Sequence, residues 1–312
     1  IIGMIGLAAA ANLDYRIWRT FAGTIMAVGI AMLVLVFVPG IGIKLGGAHR
    51  WLNLGPILLQ PSEVIKFAFI IYLATWIERR GEGIKHLETG LLPFGILLGV
   101  LVLLIIKQPD LGTIMVITVI AGSMFWAAGA RTSHLVIGVL IALLLFLGLI
   151  RLSNYRWKRF LTFLNPSSDV LGAGYQFNQT LLAIGSGGPL GLGFGNSRQK
   201  YLYLPQSFTD AIFAVIVEEL GFVRTVPLVA ALIFVSLQGL KIARKAPDDF
   251  GKLVAIGVSA WVAGQSFINF AANLGIIPLT GVPLPFVSYG SSAIVMLLFA
   301  VGIVLNISKR TA

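Results

Sequence analysis

The chain has 312 residues, of which 57% are hydrophobic and 11% charged, with a mean hydropathy of +0.94 and a formal net charge of +11. An ordinary soluble domain carries about 25% charged residues, so charges this few cannot coat a globular surface, and lipid must cover much of it. Cysteine is absent and His49, His86 and His134 lie far apart, which excludes a disulfide framework and a thiolate metal site and argues against a histidine one.

A bilayer core of about 30 Å needs about 20 apolar residues per helix. The sequence predicts a partial span at 1–11 and spans near 17–38, 62–78, 89–106, 111–129, 133–151, 209–240, 251–273 and 286–307. The expected fold class is therefore all-α, a polytopic helical bundle in the membrane, forming a single domain over 1–312. The chain opens inside an apolar run without a basic leader, which reads as a truncated first span and not as a signal peptide. Two connections are long, 39–61 and 152–208. With Asp14–Arg19 on the cytoplasmic side, twelve basic residues fall in inner loops and three (Lys44, Arg50 and Lys107) in short outer loops, the positive-inside pattern. Cytoplasmic loops and anionic headgroups then explain the basic excess better than nucleic acid does. The outer loop 152–208 breaks the pattern with six basic residues on or beside it: Arg151, Arg156, Lys158, Arg159, Arg198 and Lys200.

That loop is rich in aromatic residues, among them Tyr155, Trp157, Phe160, Phe163, Tyr175, Phe177, Tyr201 and Tyr203, as expected of a segment anchored at headgroups. Residues 175–185 (YQFNQTLLAIG) suit a short helix lying on or re-entering the membrane. Residues 185–195 (GSGGPLGLGFG) hold six glycines, including Gly188, Gly191 and Gly193. Such a stretch can approach a ligand closely, and consecutive amides can form an anion nest. Ser197, Arg198, Gln199 and Lys200 follow it, so phosphate binding and plain flexibility both remain open.

Twelve acidic residues make each position informative. Asp210, at the head of the span 209–240, is either a first-turn carboxylate that complements the helix dipole or a general base at the outer surface. Glu218 and Glu219 lie about 12–14 Å deeper at 1.5 Å per residue. A carboxylate at that depth must be paired, protonated or facing a wet cavity, and Arg224 is poorly spaced for a same-helix pair. An internal polar cavity of Glu218, Glu219, Arg224 and Asp110 is the functional expectation. Asp110, in the turn Lys107–Asp110, has a helix cap as its plainer role. Glu63 and Lys66 open the span 62–78 at i,i+3 spacing and can meet on one face. Arg50 is an interface anchor or a headgroup contact, and Asn269, Asn273, Pro278, Pro283 and Pro285, around another outer loop, are expected to be structural.

Six stretches together resemble one family: HRWLNLGPILLQPSEVIK at 49–66, KQPDLGT at 107–113, GAGYQFNQTLLAIGSGG at 172–188, GLGFGNSRQKYLYLP at 191–205, TDAIFAVIVEELGF at 209–222 and LTGVPLPFVSYGSSA at 279–293. The chain resembles the SEDS family (shape, elongation, division and sporulation), whose members RodA and FtsW polymerise peptidoglycan. The resemblance implies ten transmembrane helices with both ends cytoplasmic, of which nine are expected here. It departs from the family pattern at Gln206, at Ala211 and at Gly290, where a second glycine is missing. The compact chain and the short segment after the last span lean towards the RodA branch, hence elongation and rod shape.

By its place in TDAIFAV, Asp210 matches the family's essential aspartate, and the PSE-x-x-K stretch adds Glu63 and Lys66 as catalytic candidates. The implied reaction joins lipid II molecules at the outer face of the cytoplasmic membrane, with inversion and no covalent intermediate. Asp210 accepts the proton of the attacking 4-hydroxyl. Arg50, Arg198, Lys200, Gln199, Ser197 and the loop glycines bind the substrate, whose leaving pyrophosphate needs stabilisation. No protein-built metal site is expected, although a divalent cation, Mg or Mn, would suit the pyrophosphate. The implied partners are lipid II, a class B penicillin-binding protein and other elongation-complex membrane proteins. The competing readings are a lipid II flippase, favoured by the internal charges, and a non-catalytic scaffold for the transpeptidase.

Overall fold

The computed structural model describes residues 1–45, 48–53, 55, 58–151, 154–165 and 174–310. Parts of both long connections, at 46–47, 54, 56–57, 152–153 and 166–173, and the side chain of Tyr155 lie outside the described residues.

The described residues form helices α1 (Ile2–Asn12), α2 (Arg16–Thr20), α3 (Ala22–Leu35), α4 (Pro61–Arg80), α5 (Leu92–Ile106), α6 (Leu111–Ala127), α7 (Thr132–Arg151), α8 (Asn154–Leu164), α9 (Tyr175–Gly187), α10 (Gln199–Leu202), α11 (Ile212–Lys245), α12 (Asp249–Asn273) and α13 (Ser291–Ser308). Strands β1 (Gly42–Leu45), β2 (Ala48–Asn53) and β3 (Leu58–Leu59) form a small antiparallel sheet in the order 1-2-3. Five helical segments are long and apolar enough to cross a membrane: Leu87–Ile106, Thr132–Arg151, Ile212–Lys245, Asp249–Asn273 and Ser291–Ser308. Three more apolar helices, α1, α3 and α6, are shorter, and α4 is a 20-residue helix that carries Glu63, Lys66, Glu78, Arg79 and Arg80. On α7, Leu140, Leu144 and Leu145 are more than half exposed, the surface of a helix whose solvent is lipid.

Two spans differ from expectation. The one expected at 17–38 is interrupted at Phe21. Arg16 is tied to Asp248 at 3.4 Å and Arg19 to Glu78 at 3.0 Å, so the polar turn ends where the apolar run begins. The one expected from 286 starts at Ser291. Before it, the Leu284 amide donates to the Ser288 hydroxyl at 2.6 Å, and that turn replaces helix.

The chain divides into two compact units. The first comprises Ile1–His134, Val235–Gly264 and Gly290–Ala312, and the second Leu135–Phe234 and Gln265–Tyr289. In the first, α1 packs on α13, and α4 is the hub for α3, α6 and α13. Gly29 on α3 lies over Ile65 and Ala68 of α4, the small-residue contact by which membrane helices approach closely. Trp18, Phe67 and Phe299 form an edge-to-face cluster with centroids 5.2–6.3 Å apart. In the second unit, Ala183 on α9, Leu204, and Ala211, Ala214 and Val215 at the head of α11 form one apolar cluster. Phe163 joins α8 to α9, and Phe213 joins α11 to α12. These contacts gather the elements of the long loop around the head of α11.

Candidate active site

Asp210 lies in the turn that leads into α11. Its backbone carbonyl accepts from the side-chain amides of Asn269 and Asn273, each at 2.9 Å. These two residues, four apart, present one face of α12. The Asn269 amide also donates to the Val282 carbonyl at 2.7 Å, and that of Asn273 to the Asn269 carbonyl at 2.9 Å, so both amide orientations are fixed. The turn is held further by Tyr289, whose amide donates to the Phe208 carbonyl at 2.8 Å.

The carboxylate itself has few partners. Oδ1 accepts from the Thr209 hydroxyl at 3.1 Å, and Oδ2 from the Gln176 side-chain amide at 3.4 Å. The Gln176 carbonyl in turn accepts from Arg159 at 3.4 Å, while the same guanidinium donates to the Leu279 carbonyl at 3.3 Å. Burial pushes the Asp210 carboxyl above the usual carboxylate range; the hydrogen bonds from Thr209 and Gln176 and the charge of Arg159 oppose that shift only in part. Asp210 lines a small open recess with Gln176, Asn269, Asn273, Thr280, Gly281 and Val282. Its interior space is about 10 Å³, room for one small group such as a hydroxyl, with the rest of any substrate outside. A half-buried carboxylate of raised pKa on a fixed backbone is suited to accepting a proton.

The glycine-rich segment is arranged otherwise. α11 is broken at Gly221, whose φ of 77° and ψ of 172° are non-helical. Gly191 lies against the break: a Cβ there would sit 2.2 Å from the Glu219 carbonyl oxygen, and one on Gly221 would sit 2.2 Å from the Gly191 amide nitrogen. Only glycine fits either position, and both have positive φ. The amides of Leu192 and Gly193 donate at 2.9 Å to the carbonyls of Glu218 and Glu219, and the amide of Phe222 donates at 3.0 Å to the Gly188 carbonyl. The anion nest expected of this segment is thus committed internally. Its anions are the chain's own. The Glu218 carboxylate accepts from the Ser197 hydroxyl at 2.6 Å and the Arg198 amide at 3.1 Å. Glu219 accepts from the Ser197 amide and pairs with Lys200. That bond holds the Lys200 ammonium above its usual pKa.

Of the four residues expected to line an internal polar cavity, Glu218, Glu219 and Arg224 belong to the second unit and Asp110 to the first. Glu218 and Glu219 are 1% and 7% exposed and paired as above, and Arg224 is exposed on α11. Asp110 caps α6, accepting from the Thr113 amide at 3.0 Å and its hydroxyl at 2.9 Å. Arg50 on β2 is spent on the turn after α5: it donates to the Gln108 carbonyl at 2.8 Å and to that of Pro109. Glu63 and Lys66 pair at 2.9 Å in the first unit, both at most 3% exposed, with the ammonium 4.8 Å from the centre of the Trp261 ring. Asp210's neighbours all belong to the second unit. Gln199 is half-buried and Arg198 exposed. Nothing in the sequence marks Gln176, and Asn269 and Asn273 are expected from it to be structural; two asparagines four apart beside a proline-rich loop are the available signal.

The sequence model of a family described as cell cycle protein, FTSW_RODA_SPOVE, matches residues 1–312. The chain belongs to this SEDS family. Among its relatives, stage V sporulation protein E of Bacillus subtilis is 42% identical over 311 residues, covering 99% of this chain and 84% of that protein. The probable peptidoglycan glycosyltransferase FtsW of Geobacter sulfurreducens is 40% identical over 310 residues, covering 99% and 83%. A chain in a solved peptidoglycan synthase complex, described as coordinating polymerization and crosslinking, matches with a TM-score of 0.84 at 27% identity, over 99% of this chain and 87% of that one. A mutant of Thermus thermophilus rod shape determining protein RodA matches with a TM-score of 0.72 at 25% identity, over 99% and 85%. With its apolar helices, this SEDS protein is a multi-pass protein of the cytoplasmic membrane.

Proposed function

We propose that this SEDS protein is a peptidoglycan glycosyltransferase that polymerises lipid II at the outer face of the membrane, with Asp210 as its general base. The observation that carries the reading is the raised, half-buried carboxylate of Asp210 on a turn clamped by Asn269 and Asn273. The acceptor's 4-hydroxyl loses its proton to Asp210 as its oxygen bonds to C1 of the donor sugar. The C1–O bond to pyrophosphate breaks, and the electron pair leaves with undecaprenyl pyrophosphate. One base and inversion at C1 suffice, so no covalent intermediate is needed. Charge develops on the leaving pyrophosphate, and among the described residues exposed Arg198 is the cation of the glycine-loop region available to it; Lys200 is engaged by Glu219.

Among the described residues no group of three or more His, Cys, Asp or Glu could hold a metal ion. Mg²⁺ is often bound through one carboxylate plus substrate phosphates. Here a divalent cation would be held chiefly by the lipid-borne pyrophosphate, supplying charge neutralisation only with substrate bound. A class B penicillin-binding protein is the proposed partner, in keeping with the synthase complex among the structural relatives. Elongation and rod shape are the finer part of the proposal. The curated relatives carry division and sporulation names, so rescue of a RodA-depleted against an FtsW-depleted strain decides between the branches. No observation favours the flippase reading, because Glu218 and Glu219, which suggested a polar path, are paired within the loop.

The test is glycan synthesis from lipid II by the purified chain, with and without its transpeptidase. Polymer from the wild-type chain and none from Asp210→Asn is expected. Polymer at the normal rate from that variant removes the proposed base.

A further inference from the structure

We propose that Gln176 is a positioning residue that keeps Arg159 one amide away from Asp210, so that the base stays ionised yet remains basic. This rests on Asp210 being the base. The Gln176 side chain has one acceptor and one donor end, and the structure uses both. Its carbonyl accepts from Arg159 at 3.4 Å and its amide donates to Asp210 at 3.4 Å. The order is fixed, because a guanidinium has only donors and an ionised carboxylate only acceptors.

The surroundings make the spacing matter. Among the described residues, the charged group facing Asp210 is Arg159, from α8. α9 presents Gln176, α12 presents Asn269 and Asn273, and the segment 279–282 presents Thr280 and Gly281, all uncharged. Direct Arg–Asp pairing lowers a carboxylate pKa by roughly 1–3 units and would make a weak base. With no cation near, burial would push the carboxyl further up. The interposed amide takes the middle course, donating one hydrogen bond to the ionised form and aiming Oδ2. Arg159 is itself anchored to the Leu279 carbonyl, and the Phe163–Phe177 contact fixes α8 against α9. Both ends of the relay are therefore held by the fold.

Two substitutions read the relay. Gln176→Met keeps the shape and removes the donor. Gln176→Glu puts a second carboxylate beside Asp210 and takes Arg159 for itself. Each disfavours the ionised base, so the acid limb of the kcat–pH profile moves to higher pH. Sign and size follow: at a pH on that limb, Gln176→Glu loses about tenfold against wild type, and Gln176→Met loses less. Both recover most of the difference on the plateau.

The experiment is lipid II polymerisation by the full chain with its transpeptidase, profiled over pH for wild type, both variants and Asp210→Asn. A loss equal at every pH, with the limb unmoved, makes Gln176 merely structural and overturns the proposal while Asp210→Asn remains inactive. An active Asp210→Asn instead removes the base, and the relay falls with it. If neither Gln176 variant purifies folded, Arg159→Met reads the same link: a limb displaced upward supports the relay, and an unmoved limb overturns it.

Discussion

Asp210 and the Glu218–Glu219 pair lie within nine residues of one another, yet the fold treats them oppositely. The glutamates are surrounded by groups that match them: a hydroxyl, two amides and an ammonium. Asp210 has its backbone clamped by two asparagines, while its carboxylate meets, among the described residues, one hydroxyl, its own backbone amide and one long side-chain amide, and opens on a recess. A buried polar group with all its partners stabilises the local structure; one with unspent capacity can act on a substrate. Three carboxylates on one short stretch therefore divide into a clasp and a working group.

The largest effect that could break this contrast is chemical. Asp210→Asn should lower polymerisation by about 10²–10⁴-fold, the range of a lost general base, while the melting temperature stays near that of wild type. If both fall together, Asp210 belongs with the glutamates as a structural group. The converse test is steric. Gly221→Ala or Gly191→Ala drives a methyl to 2.2 Å from opposing backbone, and at positive φ this should cost about 2–4 kcal/mol, read as a lowered unfolding midpoint in detergent. A finer test uses pH. Burial raises the Asp210 pKa, and the base works only when ionised. Activity should then fall with acid at a pH above the ordinary aspartate value of about 4. The smallest effect separates two neighbouring cations. Arg198→Met should raise KM for lipid II severalfold, because it removes an exposed charge from a polyanion's path. Lys200→Met should instead lower stability with little change in KM.

Much of the architecture was legible because lipid simplifies it. Runs such as 89–106 and 133–151 have no alternative to spanning helix. The family motifs pointed at Asp210, whose turn the fold then fixes from three directions. What escaped the sequence was the destination of polar groups. Gly191 and Gly193 were read as a nest for an external anion, since periodicity says nothing about which carbonyls the amides meet. Asn269 and Asn273 were read as structural; they are, but the structure they hold is the carbonyl of Asp210. The sheet over 42–59 and the break at Gly221 were missed for a related reason. Both depend on backbone pairing between segments that carry no distinctive alternation. Arg50 and Asp110 were expected to meet substrate or line a cavity, and their partners are instead the turn 108–109 and the first turn of α6.

Joining Gly188–Gly193 to 218–222 by main-chain hydrogen bonds also has a kinetic corollary. Slow deuterium uptake at Leu192, Gly193 and Phe222 should be shared, because none of these amides can be released without parting both strands of the joint. The segment 188–193 and the first turns of α11 should then open as one cooperative unit, and loosening either would blur the alignment of the aspartate mounted just ahead of α11.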